Sequence, residues 1–250
     1  MKQTLSLLSA LLCLTLLFGC SPAEAPAAEP EPPVPAVEPE PARALRYHIE
    51  RTELGEDLPA EMYFEIPVFE GDSDAARRIN ETLSAVRQAY IDGSAEDVRQ
   101  MVRDSMGSEY GPTAETPYID THSASVFTCD ASLVSVAISY AWYMGGVYDY
   151  GMDTYAFDGA SGEPLYLSDL LGGTDDEIRE GIVTALLEQY PGVEDAGVLE
   201  TPMDAIRAKP IKDCHFYVDS GVVHVAFNKY EITYGAAGAF DVSLPDTLSR

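Results

Sequence analysis

Thr121-His122-Ser123-Ala124-Ser125-Val126-Phe127-Thr128-Cys129, then Asp130-Ala131, then Ser132-Leu133-Val134-Ser135-Val136-Ala137-Ile138-Ser139-Tyr140-Ala141-Trp142-Tyr143-Met144 is the stretch that decides the fold. The two arms read as a long hairpin turning at Asp130-Ala131. Leu133 through Ile138 are mostly apolar, as expected for a central strand covered on both faces. Upstream, Arg46 to Glu53 and Glu61 to Phe69 alternate polar with apolar residues and read as two half-buried strands. Pro67 makes the second an edge strand or marks its end. Asp72 or Ser73 caps a helix with a stripe of Ala76, Ile79, Leu83, Val86 and Tyr90. Gly93-Ser94 interrupts it, and Ala95 to Met106 reads as a second helix. Downstream, Met152 to Gly159 is a strand, and Asp158-Gly159-Ala160-Ser161-Gly162 is turn chemistry. Thr174 to Tyr190 is the clearest helix, with Asp175, Asp176 and Glu177 in the first turn, where carboxylates oppose the helix dipole favourably. His215 to Val218, Val222 to Phe227 and Phe240 to Leu244 are late strands. Strands and helices segregate, so the expected class is α+β: antiparallel sheet or sheets with helices packed on one side. A split near Gly111 would give two small subdomains, 44–110 and 111–250.

The N-terminus has a different character. Lys2 precedes an apolar run from Leu5 to Phe18, the layout of a secretory signal peptide. The run is short for a transmembrane helix, which needs about 20 residues. Leu17-Phe18-Gly19-Cys20 resembles the lipobox of bacterial lipoproteins. That resemblance implies a signal peptide over 1–19, cleavage before Cys20, lipidation of Cys20, and a chain tethered to the outer face of the bacterial cell membrane. Residues 20–43 form a Pro/Ala/Glu linker with eight prolines and five glutamates. Proline fixes φ and removes donors, so neither helix nor sheet propagates there. The linker would act as an extended spacer with a reach of roughly 60–70 Å.

The chain carries 42 acidic against 15 basic side chains, a formal net charge of −27. Such a surface repels nucleic acid and attracts cationic partners, so no nucleic-acid ligand is expected. Of the four cysteines, Cys13 lies in the signal and Cys20 is the lipid site. Cys129 and Cys214 remain, and in an exported protein they are either a disulfide or two buried thiols.

Three stretches taken together resemble a known family: Trp142-Tyr143-Met144-Gly145-Gly146; Thr154-Tyr155-Ala156-Phe157-Asp158 with Ser161-Gly162-Glu163 and Leu167-Ser168-Asp169-Leu170-Leu171; and Phe227-Asn228-Lys229-Tyr230-Glu231-Ile232. Their order and spacing are similar to paired extracytoplasmic domains of unknown function. These occur in the ectodomain of the lysozyme-sensing anti-sigma factor RsiV and in some peptidoglycan deacetylases. The resemblance runs from about Tyr47 to Pro245. It implies a fold, an exported address and contact with lysozyme or cell wall. The family pattern usually continues Gly-Gly with Ala-His, whereas here Val147-Tyr148-Asp149-Tyr150-Gly151 follows Gly146, so no role passes to a histidine at that place.

Conventional catalytic signatures are absent from the sequence. His48, His122, His215 and His224 show no HxxxH or HExxH spacing, so no metal site and no cofactor are expected. There is no Gly-x-Ser-x-Gly elbow or phosphate-binding glycine loop. Asp120 and His122, two residues apart, could form an oriented pair or simply share a strand face. Tyr230 and Glu231 read as a strand exit with Glu231 turned away from Tyr230 and Ile232, either structural or ligand-contacting. Trp142, Tyr143, Tyr148 and Tyr150 offer rigid aromatic area with polar tips, as sheet core and rim or as a contact surface. The expected activity is a lipid-anchored, non-catalytic binding module for a lysozyme-like cationic protein or cell-wall glycan. An enzyme acting on cell-wall glycan or peptide and a structural envelope component are the alternatives.

Overall fold

The computed structural model describes residues 44–197 and 200–245. The signal peptide, Cys20 and the Pro/Ala/Glu linker lie outside the described residues. The order of elements is β1 (Tyr47–Glu53), β2 (Ala60–Phe69), α1 (Asp74–Tyr90), α2 (Glu96–Ser105), β3 (Tyr118–Cys129), β4 (Leu133–Tyr143), β5 (Asp149–Asp158), α3 (Leu167–Leu170), α4 (Asp175–Gln189), α5 (Pro202–Ala208), β6 (His215–Asp219), β7 (Val222–Phe227) and β8 (Phe240–Ser243). The class is α+β, with a five-stranded sheet β1-β2-β3-β4-β5 and a three-stranded sheet β6-β7-β8.

The hairpin forms where the sequence places it. Asp130 Oδ1 accepts from Ser132 N (2.8 Å), Ser132 Oγ (2.7 Å) and Leu133 N (2.9 Å), closing the β3–β4 turn. Alternation along β4 then assigns its faces. Val134, Val136 and Ile138 pack with Ile79 and Leu83 of α1. Ser135, Ala137 and Ser139 point the other way. Removing Leu83, fully buried here, would cost about 2–5 kcal/mol. The helix is held at its start by Ser73 Oγ, which accepts from Ala76 N at 3.1 Å. The Asn80 side-chain amide exchanges two bonds of 2.8 Å with the Phe69 backbone, anchoring α1 to the end of β2.

Three expectations change. First, β2 and β3 pair in parallel over Ala60–Phe64, so the large sheet is mixed. The connection through α1 and α2 is a crossover, which parallel pairing requires. Pro67 lies past the last β3 partner, so it interrupts no ladder on that side, although β2 is an interior strand. Second, residues 44–110 and 111–250 are not separate sheets, because β1 and β2 belong to the sheet that β3–β5 complete. Third, Gly93-Ser94 does not break the helix. Ile91–Ala95 form a π-helical turn that leads directly into α2. Extra width of this kind absorbs a residue that the α-helical period cannot place.

The helices are not all on one side either. One face of the large sheet carries α1; the other carries the small sheet. The small sheet in turn is backed by α4, whose Ile178, Ile182, Val183 and Leu186 pack on Phe216, Val218, Val223, Val225, Phe227 and Val242. Thr174 and Glu177 form a reciprocal capping box at the start of α4. Among the described residues no helix is long and apolar enough to cross a membrane.

Candidate functional site: a cleft between the two sheets

The two sheets meet at the edge of β6. Among the described residues its outer backbone groups find no strand partner and instead meet hydroxyls on the face of the large sheet. Phe216 N donates to Thr154 Oγ1 (2.7 Å), Val218 N to Ser135 Oγ (2.8 Å), and Val218 O accepts from Thr128 Oγ1 (2.7 Å). Ser135 is completely buried, so its short side chain sets how closely β6 approaches. Asn228, just past β7, extends the same seam. Its Oδ1 accepts from Met152 N (2.7 Å) and its Nδ2 donates to Met152 O (3.0 Å), so its amide stands in for a strand residue along β5.

Away from this seam the sheets diverge. The apolar face of the small sheet is filled by α4, while the opposite face opens as a cleft. A register shift between Val126 and Thr128 leaves Phe127 as the extra residue of a bulge in β3. Its ring stacks on Tyr217 of β6 at a centroid distance of 4.2 Å. Beyond that contact lies a groove of about 570 Å³, within the usual range of roughly 300–1,000 Å³ for ligand sites. Its lining includes Ser139, Tyr140, Tyr150 and Met152 from the large sheet and Ala226, Phe227, Phe240 and Asp241 from the small sheet and its flanks; Tyr148 and Tyr190 line it as well.

A polar cluster lies beside this groove. Asp241 Oδ1 is 3.0 Å from His224 Nδ1, Asp241 Oδ2 accepts from Tyr217 OH, and Ser243 Oγ lies 3.3 Å from the same His224 Nδ1. The Tyr217 and His224 rings stack at 4.7 Å. Burial, reinforced by the bond to Asp241, pushes the Tyr217 phenol up from its usual range. A serine–histidine–carboxylate relay bonds its serine and carboxylate to opposite ring nitrogens. Here both address Nδ1, so the arrangement orients Asp241 at the groove wall rather than activating Ser243.

The expected site residues separate. Tyr148 and Tyr150 line the groove, with rings 6.0 Å apart, and remain 46% and 40% exposed. Tyr230 is 58% exposed, and Lys229 Nζ sits 5.0 Å from its ring and 5.9 Å from that of Tyr150. The same ammonium donates to Tyr148 O at 2.7 Å, holding the two loops together. Trp142 is half-buried and does not line the groove. Tyr143 packs edge-on against Tyr118, 6.5 Å away.

Tyr230 and Glu231 do not continue a strand. β7 ends at Phe227, and the chain turns with Tyr230 at φ +71°. Glu231 Oε2 accepts from Asn228 N (2.7 Å), Glu231 N donates to Asn228 O (3.0 Å), and Oε1 pairs with Lys209 Nζ (2.8 Å). Glu231 therefore builds the turn. Gly235 lies directly beneath the Tyr230 ring; a Cβ there would come within 1.9 Å of it.

The cysteines are both free thiols. Cys129 ends β3 near Val218, at the far end of β6, and donates to Leu45 O at 3.1 Å. Cys214 precedes the near end of the same strand. The length of β6 separates them, beyond what a disulfide spans. Burial raises the Cys214 thiol to about 11 and moves Cys129 the same way.

The Asp120–His122 pair lies on the α1 side of the large sheet. Asp120, 4% exposed, accepts from Tyr90 OH and sits 3.6 Å from His122 Nε2. The His122 ring stacks on Phe64 at 4.6 Å. This is a polar insert in the α1 interface, and its His122 ring lies 6.4 Å from that of Tyr140, a groove-lining residue. Among the described residues no group of three or more His, Cys, Asp or Glu is arranged to hold a metal ion.

A DUF3298 family protein from Bacteroides fragilis superposes with a TM-score of 0.56 at 18% identity, covering 83% of this chain and 92% of that one. The shared property is the fold. A DUF3298 family protein from Pseudomonas aeruginosa gives a TM-score of 0.40 at 15% identity, covering 83% and 93%. No protein-family model and no curated protein sequence matches the chain. The likeness is to domains of unknown function, in keeping with the sequence resemblance to such a domain.

Proposed function

We propose that this protein is a lipid-anchored module on the outer face of a bacterial cell membrane, whose cleft binds a cationic protein of the lysozyme kind. The observation that carries the proposal is the cleft itself: exposed tyrosines and a carboxylate, at the mouth between two sheets, on a chain of net charge −27. Tyrosine supplies large contact area at low entropic cost, and the acidic field speeds encounter with a basic partner. The lipobox at Cys20 and the resemblance to the RsiV ectodomain support the address and the choice of partner. The Pro/Ala/Glu spacer would lift the module clear of the headgroups.

The test is titration of the chain from residue 20 onward, carrying Cys20→Ser, with a panel of basic lysozymes and with peptidoglycan fragments at two salt concentrations. Saturable sub-micromolar binding to a lysozyme at physiological salt is expected. Binding of glycan alone would transfer the site to the cell wall, and binding of neither would remove the proposal.

A further inference from the structure

We infer that the groove between the sheets is a receptor for a single arginine side chain projecting from the basic partner. The inference deepens the binding reading above and rests on it for the partner, but the groove's preference can be measured independently of any protein ligand. The lining supplies what a guanidinium requires. Tyr140, Tyr148, Tyr150, Tyr190 and Phe240 surround the space, and Asp241 contributes the carboxylate at its wall. Aromatic faces attract cations through their quadrupole, and a planar guanidinium can stack on a ring while directing its N–H fork at a carboxylate. Asp241 is oriented for this. His224 and Tyr217 each engage one of its oxygens, leaving further lone pairs on a side chain that is 41% exposed.

The protein also demonstrates the chemistry internally. The guanidinium of Arg51 lies 3.4 Å from the centroid of the Tyr63 ring, and the ammonium of Lys229 hovers over Tyr150 and Tyr230 at the groove mouth. Lys229 thus shows that these ring faces accept a cation, and it competes with an incoming one. An anionic or glycan ligand would use Lys229 as a donor. A cationic ligand must approach against it. The sign of the Lys229→Ala effect therefore distinguishes the two ligand chemistries.

The experiment uses the chain from residue 20 onward with Cys20→Ser, titrated by NMR with Nα-acetyl-argininamide and with its neutral isostere Nα-acetyl-citrullinamide. Saturable shifts of the Tyr148 and Tyr150 ring signals with the arginine compound, and at least about tenfold weaker binding of the citrulline compound, are expected. Tyr150→Leu should weaken arginine binding about tenfold. Lys229→Ala should tighten it about threefold, the loss of one like charge at the mouth. Equal binding of both compounds, or weakening by Lys229→Ala in a variant whose NMR spectrum is otherwise that of the parent, overturns the inference. A basic lysozyme titrated in parallel separates the two claims. Lysozyme binding untouched by Tyr150→Leu and Asp241→Asn refutes the arginine site alone. Arginine-selective binding without any lysozyme binding refutes only the choice of partner.

Discussion

Gly151 and Asn228 should be energetically coupled, and the coupling can be worked from their geometry. Gly151 lies in β5 beside the seam that Asn228 closes. A Cβ on Gly151 would lie 2.5 Å from Asn228 Oδ1 and 2.6 Å from the Tyr140 hydroxyl. Both are far inside van der Waals contact. The Tyr140 hydroxyl is the end of a swinging ring and can yield. Asn228 cannot move without breaking its bonds to Met152 N and O. Each such bond is worth about 0.5–1.5 kcal/mol net, and forcing a methyl into a packed site costs about 1–3 kcal/mol. Gly151→Ala should therefore destabilise by about 2–3 kcal/mol, and Asn228→Ala by about 1–3 kcal/mol. In the double variant the methyl occupies space that Asn228 has vacated, so the pair should cost about 1–2 kcal/mol less than the sum. The assay is urea unfolding followed by fluorescence of Trp142, the one tryptophan in the chain. Costs that add to within about 0.5 kcal/mol would show that the two residues do not meet.

Other outcomes follow from the same contacts. Ser135→Ala leaves Val218 N without its acceptor in a buried seam and should cost about 1–3 kcal/mol; Ser135→Val should cost more, since it also pushes β6 outward, and thermal melts would rank them. Tyr90→Phe removes the phenol that donates to buried Asp120 and should destabilise by about 1–3 kcal/mol, whereas Tyr148→Phe, at an exposed rim, should be close to neutral. Reducing agent should leave the melting temperature unchanged, and thiol titration should find Cys129 and Cys214 slow to react when folded and fast in urea. Because burial raises the folded Cys214 thiol from about 9 to about 11, its contribution to stability is full below pH 9 and is lost as pH rises toward 11; Cys214→Ala should flatten that limb of the pH–stability curve.

The hairpin, α1 and α4 are legible because their signals are local. A turn aspartate, an N-cap serine and an apolar period each act within a few residues, and the structure places these elements within a residue or two of their expected bounds, except that β3 starts at Tyr118, three residues before Thr121. The parallel pairing of β2 with β3 is not local, and no pattern in Glu61–Phe69 announces which strand will lie beside it. At Tyr230-Glu231 the expectation of a strand fails for a different reason. Alternation of Tyr, Glu and Ile imitates a strand, but Asn228 uses its side chain as backbone and ends the ladder first. An asparagine followed three residues later by a glutamate was the available signal, since the carboxylate returns to cap the Asn228 amide. His224 and Asp241 meet only because β7 and β8 pair with His224 opposite Ser243, which neither segment encodes alone. Tyr148 and Tyr150 could be singled out by residue type, and the fold then separates them from Trp142 and Tyr143.

The cleft itself follows from one economy in β4. Its odd-numbered residues Ser135, Ala137 and Ser139 are small, while Val134, Val136 and Ile138 fill the opposite face against α1. Small residues on the second face allow an unpaired strand edge to approach, and hydroxyls on that face meet its backbone groups. An edge docked onto a face has no neighbour on one side to hold the sheets parallel, so they splay from the β6 line. On one side α4 fills the divergence with aliphatic side chains. On the other, tyrosines and Asp241 share the groove wall with Met152, Ala226, Phe227 and Phe240, and Phe227 and Phe240 also belong to the α4-side core. Ser135→Val should therefore move both walls of the groove as it lowers stability, because one contact sets how closely β6 approaches, and the Tyr150 ring signals should shift together with the melting temperature.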